Sequence, residues 1–197
     1  MIGNDIVDIA FAKNESNWKR PRFLDKIFTI KEQKYIAEAQ QPEMMVWLLW
    51  SMKESAYKLH VQIFKKRFFA PKRLVCSLLD LNGKECVGRV VCDDFTCFTQ
   101  SEFSDQFVYT ISKFVRNEAY LSQTFMIKNS KYITQHKEVY KKAITRLAEY
   151  SRKPIHQICV KKSNDGVPSF YYKKEKTKVA ISITHHGNYG AFAINNL

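Results

Sequence analysis

The sequence predicts an α+β fold made of two similar halves, and three observations carry that expectation. A long helical stretch over 44–64 opens on an almost wholly apolar segment. It is followed by strand-like runs separated by turn signals between 77 and 112, with Asn82-Gly83 at the first turn. A second helical stretch over 135–150 is followed from 161 to 194 by a like series: a strand, an Asn164-Asp165-Gly166 turn, a strand, then paired strands. The two series share a layout, a faint internal repeat. The expected halves are 1–115 and 116–197, with a junction over 114–131, where the pattern weakens.

The first element is the β-prone run Ile2-Gly3-Asn4-Asp5-Ile6-Val7-Asp8-Ile9. Asp is depleted in strands, so Asp5 and Asp8 need a reason. One reason is metal ligation through hard oxygen ligands. The other is a strand end at which an Asp caps the next helix. The residues leave both open.

The helix at 44–64 carries the most informative nonamer, Trp50-Ser51-Met52-Lys53-Glu54-Ser55-Ala56-Tyr57-Lys58. Glu54 and Lys58 are four residues apart, hence on one face and one turn apart. An exposed pair of this kind is worth only a few tenths of a kcal/mol. The alternative is a carboxylate and an ammonium that together hold a metal and a phosphate. The preceding residues, Pro42 to Trp50, are apolar nearly all round and suit a buried helix, which sets Glu54 against an interior wall. A carboxylate there costs free energy unless compensated, and a metal is one compensator.

The last informative run is Val179-Ala180-Ile181-Ser182-Ile183-Thr184-His185-His186-Gly187. It reads as a strand that runs into hydroxyls, two histidines and a glycine. Gly187-Asn188 forms a tight turn into a second strand, 189–194. A histidine at such a strand end can donate to a phosphate oxygen, or serve as an ordinary structural residue.

Composition bounds the rest. With 197 residues, 45% hydrophobic and 14% aromatic, the chain can bury a core as one domain or two fused small halves. No apolar run approaches membrane-spanning length, and no basic-then-apolar leader is visible at the N-terminus, so no membrane partner is expected. Cys76, Cys86, Cys92, Cys97 and Cys159 are odd in number and lack a C-x-x-C pair. That pattern argues against a disulfide frame or zinc site and for a reducing, cytoplasmic setting. The net charge of +13 gathers at 65–73, 128–142 and 173–178. Such runs are usually solvated faces. No helix-turn-helix, zinc-finger or RNA-binding aromatic signature accompanies them, so anionic partners other than nucleic acid are expected.

Taken together, Gly3-Asn4-Asp5-Ile6-Val7-Asp8, Trp50 to Lys58, Gly166-Val167-Pro168 and Ser182-Ile183-Thr184-His185 resemble the motifs of the 4′-phosphopantetheinyl transferase superfamily. Arg22 to Glu32 resembles the helix-and-turn segment of holo-acyl-carrier-protein synthases. The motif order matches the small trimeric synthases, while the length matches the Sfp type. The resemblance therefore implies a monomeric pseudo-dimer of two α+β halves, circularly permuted relative to the Sfp type and cut between Asn195-Asn196-Leu197 and Met1-Ile2-Gly3. A synthase-like subunit with a large insertion is the other arrangement.

The implied reaction is attack by a carrier-protein serine hydroxyl on the β-phosphate of coenzyme A, with release of 3′,5′-adenosine bisphosphate. The carriers are acidic acyl or peptidyl proteins of fatty-acid, polyketide or nonribosomal-peptide systems. The resemblance makes Asp5 and Glu54 Mg²⁺ ligands. Asp8 matches an acid of the small synthases, whereas Val7 stands where the Sfp type has its further acid. Glu54, or a metal-bound water beside it, is the implied base. Lys58 and His185, with Thr184 beside it, would meet the pyrophosphate. Of Lys137, Lys141, Lys142 and Arg146, the favoured contacts to the 3′-phosphate are Lys141 and Lys142. Ser51 and Lys53 have local roles in packing and substrate approach. Arg22 faces carrier, phosphate or solvent. A catalytically silent coenzyme A-binding relative and a basic nucleic-acid-binding protein are the competing classes.

Overall fold

A computed structural model describes residues 1–68, 70–93, 95–128 and 132–196. Lys131, in the second basic run, and Leu197, beside the expected permutation point, lie outside the described residues. The first half opens with β1 (Gly3–Asp8), then α1 (Ile9–Glu15), α2 (Phe23–Ile27), α3 (Ile30–Glu38) and α4 (Pro42–Phe64). Four strands follow: β2 (Val75–Asn82), β3 (Glu85–Cys92), β4 (Phe95–Phe103) and β5 (Phe107–Lys113). The second half contains β6 (Tyr120–Met126), α5 (Tyr132–Ser151), β7 (Ile158–Lys162), β8 (Pro168–Tyr172), β9 (Glu175–His186) and β10 (Tyr189–Asn195).

Local chemistry explains the main helix. Pro42 occupies its first turn, where a missing N–H costs nothing, and Lys65 ends it in the left-handed conformation with its N–H bonded to the Val61 carbonyl. In between, Val46, Leu48, Leu49, Met52, Ala56 and Leu59 are buried. They pack on the first sheet together with Cys76, Val90, Cys97 and Val108. α5 does the same for the second sheet through Val139, Ala143 and Leu147, against Phe170, Ile181 and Phe192.

The two sheets are antiparallel and share one plan. The first has strand order β1-β5-β4-β3-β2, the second β6-β10-β9-β8-β7. In each, the strand before the long helix pairs antiparallel with the last strand of its half. The expected junction over 114–131 contains a strand. β6 occupies its middle and pairs with β10 along its whole length, so the chain crosses between sheets over 114–119. β6 is a half-exposed edge strand with Ser122, Gln123 and Thr124 in its centre, which hides the alternation of a strand.

A third, smaller core joins the halves. Ile2, Ile6, Tyr109 and Ile111 of the first sheet meet Ala191 and Ala193 of β10. Small side chains on β10 allow the close approach. The Tyr109 hydroxyl donates to the Phe192 carbonyl at 3.2 Å across this seam. On the other side of β1, Gly3 lies so near α4 that a Cβ would fall on the Ser55 carbonyl. β1 is therefore wedged between α4, β5 and the second sheet. No helix among the described residues is long and apolar enough to cross a membrane. All five cysteines are free thiols, and Cys159 alone of them is exposed.

Candidate active site at the seam between the halves

Alternate residues of β1 face alternate sides, so Asp5 shares with Gly3 the side that meets α4. Its Oδ1 accepts from Lys58 Nζ at 2.9 Å and from the Thr184 hydroxyl at 3.2 Å. Lys58 also donates to the Asn4 carbonyl at 2.9 Å, and the Ser51 hydroxyl donates to the Asp5 carbonyl at 3.3 Å. α4 thus holds the centre of β1 from one side and β9 from the other. Lys58 pairs with Asp5, 53 residues away, and not with Glu54 on its own helix.

Glu54 stands one turn back along α4. Its carboxyl is pushed up from 4.5 to about 7, first by burial and then by the charge of Asp5, with Lys58 pulling the other way. Two carboxylates close enough to repel, with one lysine between them, form a site short of positive charge. That deficit suits a hard divalent cation. Among the described residues, no group of three or more His, Cys, Asp or Glu side chains is disposed to hold a metal.

Two adjoining clefts flank Glu54 and Lys58 and share Tyr57 and Arg67. One, of about 530 Å³, runs past Trp50, Glu54, Phe68 and Leu74. The other, of about 320 Å³, runs past Lys58, Lys162, Gly166, Val167 and Pro168 to Ser182. The Gly166-Val167-Pro168 turn forms one wall of the second cleft. Arg67 braces that wall, its Nε donating to the Asp165 carbonyl at 2.9 Å. Burial and then Arg67 lower the pKa of Lys162, evidence of gathered positive charge. His185 faces the opposite side of β9 from Thr184, within 6.2 Å of the His136 ring on α5. Its pKa falls to about 4, first through burial and then through His136, Lys58, Lys162 and His186. The imidazole is therefore neutral and surrounded by basic groups, a setting that favours an incoming anion.

Three expected site residues lie elsewhere. Asp8 is the N-cap of α1: Oδ1 accepts from the Phe11 N–H at 3.0 Å, and Oδ2 accepts from the Asn188 N–H at 2.8 Å. Each oxygen thus accepts one backbone N–H, and Asp8 caps α1. Gly187, at φ +54°, makes room for that carboxylate, on which a Cβ would fall. Lys141 and Lys142 lie on α5 along a separate surface cleft with Ser122, Gln123, Thr145 and Arg146, and line neither cleft at Lys58. Lys137 also lies on α5. Arg22 adopts the left-handed conformation (φ 65°) as the N-cap of α2, on the surface.

Two residues of the second cleft, Arg67 and Lys162, carry little signal in the sequence: Arg67 lies within a charge run. The usable signal for Lys162 was its position just before the Gly166-Val167-Pro168 turn. Arg67 carried no such signal, because a long-range approach brings it to the turn.

Asp5 and Glu54 thus lie beside clefts that carry Lys58, Arg67 and Lys162. The family model of the 4′-phosphopantetheinyl transferase superfamily matches residues 1–112, more than half of the chain, and the chain belongs to that superfamily. The matched stretch contains Asp5, Glu54 and Lys58. No curated protein matches the chain.

Proposed function

We propose that the protein transfers 4′-phosphopantetheine from coenzyme A to a serine of an apo acyl or peptidyl carrier protein with the help of Mg²⁺. The observation that carries this reading is the pairing of Asp5 and Glu54, on two elements of the first half, with a basic cleft built partly by the second. Asp5 and Glu54 are the residues that fit Mg²⁺. When bound, that ion would supply neutralisation of the pyrophosphate charge.

The remaining chemistry falls to the chain's own side chains. Lys58, fixed by Asp5 and the Asn4 carbonyl, offers its ammonium to the β-phosphate. His185, neutral at working pH, donates an N–H to the same group. Glu54 takes the serine proton on a carboxylate oxygen. Arg67 and Lys162 are better placed than Lys141 and Lys142 to meet the 3′-phosphate, since they share a cleft with Lys58. Asp8 serves the frame and not the metal.

The common strand order of the two sheets supports the reading as a pseudo-dimer, circularly permuted relative to the Sfp type. One chain then supplies both sides of the site and acts as a monomer in the cytoplasm. The test is intact-protein mass spectrometry of apo carriers of the fatty-acid and peptidyl types, incubated with coenzyme A and Mg²⁺. One phosphopantetheine arm gained with the parent and none with Glu54→Gln is the expected result. No gain on any carrier, together with no binding of coenzyme A, sinks the reading.

A further inference from the structure

Among the described residues, β1 is an edge strand of its sheet, paired with β5. In an antiparallel pair, successive residues turn their N–H groups to alternate edges, so those of Asn4, Ile6 and Asp8 point away from β5. These groups are buried at the seam, where an unmet N–H is costly. Three side chains from one face of β9 meet them in step. The Asn4 N–H donates to Ser182 Oγ at 3.0 Å, the Ile6 N–H to Thr184 Oγ1 at 3.3 Å, and the Asp8 N–H to His186 Nδ1 at 3.0 Å. Gln62 of α4 continues the series at Ile2, accepting its N–H at 3.3 Å and donating to its carbonyl at 2.7 Å. Each β9 rung joins residues 178 apart in sequence. Side chains of one strand thus substitute for the backbone ladder of another.

The middle rung differs from its neighbours. A threonine hydroxyl has one hydrogen to donate and lone pairs to accept with. Thr184 accepts from Ile6 and gives its own hydrogen to Asp5 Oδ1 at 3.2 Å. The rung that fixes the strand also fixes the carboxylate. A slip of one residue along β1 would carry Asp5 to the opposite face.

We propose that Ser182, Thr184 and His186 are positioning residues: a side-chain ladder through which the second half sets the register of β1 and the aim of Asp5. The claim rests on the reading of Asp5 as a Mg²⁺ ligand. It assigns Thr184 to the carboxylate and not to the phosphate of coenzyme A.

Two measurements on the full chain test it. The first is amide hydrogen exchange by NMR without metal or coenzyme. Ser182→Ala should speed exchange at Asn4, and Thr184→Val at Ile6, each about ten-fold, with Thr184→Ser restoring protection. The second is the Mg²⁺ midpoint, read both by thermal stabilisation of the coenzyme A complex and by transfer. Thr184→Val should raise that midpoint about ten-fold and leave the KM for coenzyme A nearly unchanged, since the lost bond orients a metal ligand. Exchange at Ile6 that ignores Thr184→Val overturns the ladder. Altered exchange with an unmoved Mg²⁺ midpoint reduces the ladder to a structural seam and overturns the positioning role. A raised KM for coenzyme A with an unmoved midpoint overturns it in favour of a phosphate contact. A parent protein with no Mg²⁺ response, its exchange pattern intact, sinks the metal reading and the positioning role with it, while the seam remains.

Discussion

Glu54 shows how one side chain can be set against stability. Its carboxyl titrates at about 7 in the folded chain and near 4.5 when free. Between those values the folded state keeps a proton that the unfolded chain gives up. The stability that Glu54 contributes is therefore fully present below about pH 4.5 and is lost as pH rises through about 7. Above that, an ionised Glu54 faces both burial and Asp5. Glu54→Gln removes this burden. In chelator, the variant should be more stable than the parent at pH 8, by up to about 3 kcal/mol, and should match it at pH 4. Thermal denaturation at the two pH values checks this; equal melting temperatures at pH 8 would contradict the electrostatic account. The same variant should lose transfer, so stability and activity move in opposite directions at one residue.

At the scale of the element, the neighbouring lysine has an unrelated task. Lys53 is buried on α4, at the floor of the cleft that Glu54 lines. It donates to both oxygens of Glu32 at 2.8 and 2.9 Å, and to the Pro71 and Leu74 carbonyls at 3.0 and 2.5 Å. Glu32 in turn accepts from the Thr29 N–H at 2.7 Å, closing the capping box of α3, and from the Cys76 N–H at 2.7 Å. One fully bonded ion pair thus ties α3, α4 and the start of β2 together and sets the rotation of α4 that brings Glu54 to the cleft. Buried pairs add little net stability when complete, but breaking one strands a charge. Lys53→Met should cost about 3–5 kcal/mol, read as a shifted urea midpoint, and adding Glu32→Gln should recover part of it. A cost below about 1 kcal/mol would mean that the pair is dispensable.

At the scale of the whole molecule, the charge of +13 acts at a distance. A basic surface raises the encounter rate with an acidic carrier protein, and salt screens it over about 8 Å at 0.15 M. The kcat/KM for the carrier should therefore fall about ten-fold between low and moderately high salt, while kcat holds. Steady-state kinetics across a salt series checks this, and a flat kcat/KM would remove the steering role. The long α4, the turn at Gly187-Asn188 and the strands on either side were legible beforehand, because each rests on residues a few positions apart. So was the face that carries Glu54 and Lys58. β6 was not, because a polar edge strand becomes a strand only by pairing with β10.

By itself, the sequence determined the α+β class, the two long helices, the family motifs and the acid pair drawn from β1 and α4. Periodicity and short motifs are local, and the chain states them directly. The tertiary structure decided which lysine serves which acid. Lys58 turned from Glu54 to Asp5, Lys53 went to Glu32, and Asp8 became a helix cap. It set Arg67 and Lys162 at the cleft, and Lys141 and Lys142 along another. The physical reason is separation along the chain: Lys53 and Glu32 lie 21 residues apart, Lys58 and Asp5 53, and Asp8 and Asn188 180. A side chain's partner is fixed by how sheets and helices pack, and spacing along the chain carries no record of that.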